Sequence, residues 1–506
     1  MTTSKTVESP KGNGRLIAIV AMFFLFAMIS FVTNLAAPIG TIWKNNYEWA
    51  GMLGNMMNFL AYLFMGIPAG NLLVKIGYKK TALYAMIVGI VGLIFQLLSS
   101  SIGANVEVLT VSGQPVMLNF FIYLLGAFIC GFCVCMLNTV VNPMLNLLGG
   151  GGNKGNQLIQ TGGALNSLSG TLTPLFVGLL IGTVTKATNI GDVTPLLYIA
   201  IAVFVVSFII ISFVAIPEPH MQKAGAKKIV YEHSALSFRH CLLGIIAIFF
   251  YVGIEVAIPQ FMNFYISDTT DKGAGILLNG AAIGGALAAC YWLLMLVGRF
   301  ASSAISAKVS TRAQLITVST TAIVLVLLAI FTPKSSRFNV PNFIYDPIEK
   351  TESILTEAQV PAETITEFIE TKDVTLLADY ADTLENNFEL TPEKMVKSTE
   401  IPSVPIKAIF FILCGLCTSV MWGGIFNLAV EGLGKYTAKA SGLFMTMVVG
   451  GGVMPLIQDF IAGSVGYIAS YWLIVAMLAY ILYYALVGCK NVNKDIPVDE
   501  EVVDAL

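Results

Sequence analysis

One acid stands alone inside a long apolar run: Glu255 lies within 244–266 and is followed by Pro259, Gln260 and Asn263. A carboxylate in such surroundings binds a coupling ion, contacts a substrate, or pairs with a neighbouring segment as a structural acid. Placing a charge there costs at least about 2.5–3.5 kcal/mol on insertion scales, which makes it a functional candidate by default. A second group consists of uncharged amides in equally apolar surroundings: Asn34, Asn138, Asn142, Gln160, Asn166, Gln260 and Asn427. Asn138 and Asn142 are four residues apart and share one helical face. Amides supply paired donors and acceptors for a polar, uncharged ligand, or else bond helix to helix for about 0.6 kcal/mol each. Trp292 and Trp422 offer flat faces for stacking, or serve as core or lipid-facing aromatics. Arg299 and Glu431 fall at the ends of apolar runs, where a gate or a pairing between domains is expected.

Other apparent motifs carry less. Gly149-Gly150-Gly151-Gly152-Asn153-Lys154 has the look of a phosphate loop, but it lacks the Gly-Lys-Ser/Thr ending and a preceding strand. It reads as a flexible turn. Cys414 and Cys417 have redox spacing, yet inside an apolar helix they read as small packing residues. His220, His233 and His240 cluster in or beside one polar loop. No nucleophile–base–acid constellation, metal site or cofactor motif is recognisable, so an enzyme is not expected. A net charge of −2 gives no basic footprint for nucleic acid.

The elements that must position these side chains follow from composition. Of 506 residues, 56% are hydrophobic and 11% are charged, against roughly 25% charged in a soluble domain. Mean hydropathy is +0.79. Crossing about 30 Å of hydrocarbon takes ~20 apolar helical residues. Runs of that kind lie near 16–43, 48–74, 80–102, 117–148, 157–184, 194–217, 239–266, 274–304, 312–332, 406–431, 438–464 and 468–488. The chain is therefore an all-α polytopic membrane protein with twelve transmembrane helices. Eighteen of the 28 Lys and Arg fall on one side if both termini share it, so the termini are expected in the cytoplasm.

The organisation expected is a cytoplasmic tail (1–15), a six-helix half (16–217), a cytoplasmic linker (218–238) and helices 7–9 (239–331). An insertion (332–405), helices 10–12 (406–488) and a cytoplasmic tail (489–506) complete it. The insertion has 14 acids against six Lys and Arg and is placed outside the cell. Thr391-Pro392-Glu393 reads as a helix start, and 373–388 has apolar residues near helical spacing. It is expected to be a solvated cap, or else a docking site for a partner.

An internal repeat supports two halves. The end of run 4, Asn142–Gly149, aligns with Asn427–Gly434 at an offset of 285 residues, and Pro174-Leu175 aligns with Pro455-Leu456 at 281. Gly70–Lys80 has a weaker counterpart at Gly298-Arg299-Phe300, offset by 228, and the insertion accounts for the jump. Two six-helix halves in a parallel repeat match the major facilitator fold.

Several stretches together resemble the L-fucose–proton symporter family, which includes the bacterial glucose/galactose permeases. They are Trp422–Gly434 (WGGIFNLAVEGLG), Gly450–Gln458 (GGGVMPLIQ), Tyr251–Val256, Tyr291-Trp292 with Gly298-Arg299-Phe300, Asn142-Pro143 and Asn166-Ser167. The resemblance spans nearly the whole chain outside the tails and the insertion. It implies a sugar importer of the plasma (bacterial inner) membrane, working on a hexose such as fucose, glucose or galactose. The family pattern has an acid in helix 1 and another in helix 4; the corresponding places here resemble Ala37 and Asn138. Neither titrates near neutral pH. If transport is coupled, Glu255 is the remaining candidate, with sodium or a proton as the ion. The expectation is a monomeric secondary transporter in the lipid bilayer with a small-molecule sugar as substrate. The alternatives are an exporter of drugs or other small solutes and a non-transporting receptor that uses the insertion.

Overall fold

The computed structural model describes residues 13–47, 50, 53–111, 113–181, 189–218, 228–229, 232–268, 270–276, 278–306, 308–388, 390–498 and 502–503. Twelve long helices dominate it. The first six are α1 (Asn13–Asn46), α2 (Leu53–Ile76), α3 (Tyr78–Leu98), α4 (Leu118–Gly149), α5 (Gly152–Ile181) and α6 (Thr194–Phe213). The second six begin with α7 (Arg239–Ser267), α8 (Gly280–Ile305), α9 (Thr311–Phe331) and α10 (Lys407–Val430). Helix α11 joins Thr437–Thr446, a 3₁₀ turn at Met447–Val449 and Gly450–Val465; α12 is Tyr467–Tyr483 with a π-helical end at Tyr484–Gly488. Eleven helical stretches among the described residues are long and apolar enough to cross a membrane. The twelfth helix, α5, carries amides and hydroxyls through its described side chains.

Turn chemistry sets the helix ends. Gly77 takes φ 86°, and the Glu218 carboxylate accepts from the freed N–H groups of Tyr78 (2.5 Å) and Lys79 (2.9 Å) at the start of α3. An acid suits the positive end of a helix. Gly150 caps α4 in the left-handed region at φ 81°, and the Ser310 hydroxyl accepts from the Ala313 N–H to start α9.

Helices α1–α6 and α7–α12 form two halves. Within them α3 lies on α4, α1 on α5, and α10 packs against α7, α8 and α9. The most extensive contacts between the halves are those of α5 with α8 and of α2 with α11. The second pair packs backbone to backbone. A Cβ on Gly66 would fall 2.2 Å from Thr446 Oγ1, and one on Gly442 would fall 2.7 Å from the Gly66 carbonyl. The face where α1 starts and α12 ends is termed the terminal face; the opposite one is the insertion face.

Residues between α9 and α10 form a small layer of their own. Arg337–Asn339 pairs antiparallel with Ser403–Pro405, bringing the two ends of the insertion together. Short helices at Pro347–Glu357, Ala362–Thr371, Ala381–Phe388 and Pro392–Ser398 surround a separate core that includes Leu355, Phe368, Leu377, Leu384 and Met395. The Thr391 hydroxyl accepts from the Lys394 N–H, with Pro392 in the first turn. Over 374–380 the chain is a 3₁₀ segment, and the α-helix begins only at Ala381, because Asp373 turns the chain by accepting from the Thr375 N–H and hydroxyl.

Candidate functional site

Glu255 lies sixteen residues into the 29-residue α7, about 24 Å from its start at 1.5 Å per residue. Arg299 comes from α8 of the same half. Its Nη2 stands 3.2 Å from Glu255 Oε1, with the two side chains 9% and 16% exposed. Nη1 of the same guanidinium donates to the Gly163 carbonyl and the Ser167 hydroxyl of α5, both at 2.7 Å. Gly163 leaves room for this approach, since a Cβ there would sit 3.3 Å from Arg299 Cδ. Arg299 therefore holds an acid of its own half and two oxygens of the other. Its Cα lies six residues before the end of α8, and the long side chain reaches the level of Glu255.

A second polar line crosses between the halves beside this pair. Asn138 Nδ2 donates to the Tyr62 hydroxyl at 2.9 Å, and Asn142 Nδ2 donates to the Asn138 carbonyl at 2.9 Å. The indole Nε1 of Trp422 on α10 donates to Asn142 Oδ1 at 2.9 Å. The Trp422 ring then meets Tyr251 on α7, with centroids 6.1 Å apart. Tyr251 is one turn before Glu255 and so shares its helix face. Tyr291 on α8 bonds the Thr418 hydroxyl of α10 at 2.8 Å. Tyr62, Tyr251, Ser167 and Thr418 thus join the group; Tyr251 and Ser167 lie in stretches that carry the family resemblance, whereas nothing in the local sequence of Tyr62 or Thr418 separates them from packing residues.

Nearer the terminal face the halves are clasped. Asn146 Nδ2 donates to Asn427 Oδ1 at 2.7 Å, and Asn156 Nδ2 donates to the Ser306 hydroxyl at 3.1 Å. Thr161 and Ser303 share a hydroxyl bond of 2.7 Å, and Gln160 Nε2 donates to the Val420 carbonyl at 3.0 Å. Asn427 and Gln160, candidates for a polar ligand or for helix-to-helix bonding, tie helix to helix here. Asn427 is only three residues from the end of α10.

The remaining candidates spread out. Asn166 Nδ2 donates to the Phe26 carbonyl at 2.9 Å and so ties α5 to α1, whereas Asn34 Nδ2 donates to the Ser30 carbonyl at 2.8 Å within α1. Gln260 is half-buried on α7, five residues after Glu255 and on a different helix face. Trp292 is half-buried on α8 with Tyr291 at its edge, and on α8 it lies seven residues before Arg299. Glu431 is exposed at the end of α10; its carbonyl bonds His240 Nε2 at 3.0 Å, and its side chain forms no ion pair between halves among the described residues. Ala37, where the resemblance places a family acid, has its side chain outside the described residues. No group of three or more metal-binding side chains is present among the described residues.

The sequence pattern of the Major Facilitator Superfamily matches residues 17–343. The chain belongs to this superfamily. It is 26% identical over 492 residues to a glucose/galactose transporter of Brucella abortus biovar 1 (strain 9-941), with 96% of each chain covered. A putative glucose/galactose transporter of Helicobacter pylori (strain ATCC 700392 / 26695) is also 26% identical, covering 94% of this chain and 96% of the relative. Among solved structures, the fucose:proton symporter of E. coli superposes with a TM-score of 0.66 at 16% identity, over 94% of this chain and 99% of that one. A bacterial homologue of the iron transporter ferroportin gives 0.58 at 9% identity, over 93% and 98%. These two likenesses are ones of fold. The fold is that of a twelve-helix membrane transporter in two six-helix halves.

Proposed function

We propose that the chain is a secondary transporter that imports a hexose-class sugar by alternating access, coupled to a cation at Glu255. The observation that carries the substrate class is the end-to-end similarity to relatives named glucose/galactose transporters. The polar line supports it. Asn138, Asn142, Tyr62 and Trp422 pair uncharged donors and acceptors with flat rings, the combination that sugar hydroxyls and ring faces require.

Coupling follows from competition for one carboxylate. Arg299 neutralises Glu255 while gripping α5, so the pair holds the halves together at mid-depth. A proton or sodium ion arriving at Glu255 removes the attraction on one side of the guanidinium. Sugar hydroxyls entering between Asn142 and Trp422 replace the bond that ties α4 to α10. Both events act on contacts between halves, as rocking of one half against the other demands. The clasps near the terminal face, with the excess of basic residues on that side, support an outward-facing state with cytoplasmic termini.

Uptake of labelled glucose, galactose and fucose into proteoliposomes tests the reading. Saturable uptake of at least one of them is expected. No uptake or exchange of any hexose by folded, inserted protein would overturn it.

A further inference from the structure

The glycine turn between α4 and α5 takes no part in the path described above. Gly150, Gly151 and Gly152 have φ of 81°, 74° and 52°, and a Cβ on Gly150 or Gly152 would meet open space. The turn delivers the start of α5 to a cleft of about 610 Å³ on the terminal face, lined also by the start of α9 and the chain just after α12. Among the described residues three cations line it, Arg312, Lys490 and Lys494, and one acid, Glu431.

Arg312 is partly committed, donating from Nε and Nη2 to the carbonyls of Ala485 (2.9 Å) and Leu486 (2.5 Å). Lys490 and Lys494 are exposed and make no side-chain hydrogen bond or ion pair among the described residues. Neutral donors are at hand in Asn153, Ser310 and Asn427. His240 is fully buried in the cleft wall, with Nε2 on the Glu431 carbonyl at 3.0 Å. The positive ends of two helices, of 30 and 21 residues, add to the field. The volume suits a small molecule or a headgroup, and the charge suits an anion rich in oxygen.

We propose that this cleft binds a phosphate-ester group, supplied by a soluble phosphorylated molecule or by an anionic lipid headgroup. Gly152 and Asn153 belong to one half, whereas Arg312, Lys490 and Lys494 belong to the other. A bound phosphate therefore bridges the halves beside the Asn146–Asn427 clasp and holds the terminal face closed.

The test needs no knowledge of the transported solute. Inorganic phosphate is titrated against the full chain in phosphatidylcholine nanodiscs, at fixed ionic strength with chloride as control, and thermal unfolding is followed. In a second arm, phosphatidylglycerol replaces part of the phosphatidylcholine. A rise in Tm with either probe, and a loss of about tenfold in apparent affinity in K490Q/K494Q, supports the site. The probe that acts identifies the source of the phosphate. Equal responses of wild type and double variant, or no response to either probe, overturns it.

Discussion

Arg299 and Glu255 are 3.2 Å apart on neighbouring helices of one half, and the same guanidinium donates to two oxygens of the opposite half. One guanidinium therefore joins a carboxylate of α7 to the backbone and hydroxyl of α5. Removing one member of a shielded pair strands the other. R299Q should therefore destabilise the protein by about 1–3 kcal/mol, below the 3–5 kcal/mol of a fully buried pair because Glu255 keeps some exposure. The double variant E255Q/R299Q should recover part of that loss. Thermal unfolding of the three variants measures it; equal stability of R299Q and wild type would show that the pair is idle.

Asn138 and Tyr62 are expected to act as a unit. N138A and Y62F should each weaken sugar affinity by about 1–3 kcal/mol, since each leaves a polar partner unmatched near the ligand. The double variant should lose less than the sum, with coupling of about 0.5–3 kcal/mol. Equilibrium sugar binding to the four proteins completes the cycle. Strict additivity would separate the two residues. N166A should also weaken sugar affinity, because its loss frees the Phe26 carbonyl and lets the α1–α5 wall shift.

Gly66 and Gly442 bring α2 and α11 into backbone contact, and a Cβ on either has no room. G66V should cost about 1–3 kcal/mol through overpacking and bias the protein toward a terminal face that stays open. Labelling of a single cysteine introduced on that face reads the bias. Unchanged labelling would mean that this contact does not seal the face.

Much of this architecture was legible in the sequence, and its limits have a physical cause. Helix existence depends on the length of apolar runs, a local property, so the twelve helices followed directly. Glu255 stood out because charge is rare in hydrocarbon. Depth and partner are not local. The apolar run places Asn427 near the end of α10, but not that its side chain there meets Asn146 of the other half. The partners of Arg299 were not legible for a related reason, since its long side chain reaches Glu255 and α5 from a position nearer the end of α8. Tyr62 is one of 18 tyrosines, and only its hydrogen bond to Asn138 distinguishes it.

The insertion should be dispensable for transport. Its two ends are already paired, with the Val340 N–H donating to the Pro402 carbonyl at 2.9 Å, and its core is separate. Replacing 341–401 by a short glycine-containing turn should leave uptake per inserted molecule within about twofold, as expected for a surface loop insertion. A large fall would assign the insertion a part in the cycle.

Glu218 gives a pH dependence of known sign. Burial raises its pKa above the usual carboxylate value, and hydrogen bonds from Lys79 and Tyr78 only partly oppose this. The folded chain therefore holds the proton more tightly than the unfolded chain, so this contribution is full at low pH and is lost as pH rises through the raised value. E218Q should flatten the fall in Tm over that range. An unchanged pH profile in E218Q would assign the dependence elsewhere.

Coupling at Glu255 is tested most directly by sugar accumulation in proteoliposomes under separately imposed sodium and proton gradients, comparing wild type with E255Q. One gradient should drive wild-type accumulation, while E255Q loses accumulation but still exchanges sugar across the membrane. Accumulation against a gradient by E255Q at the wild-type level would contradict it.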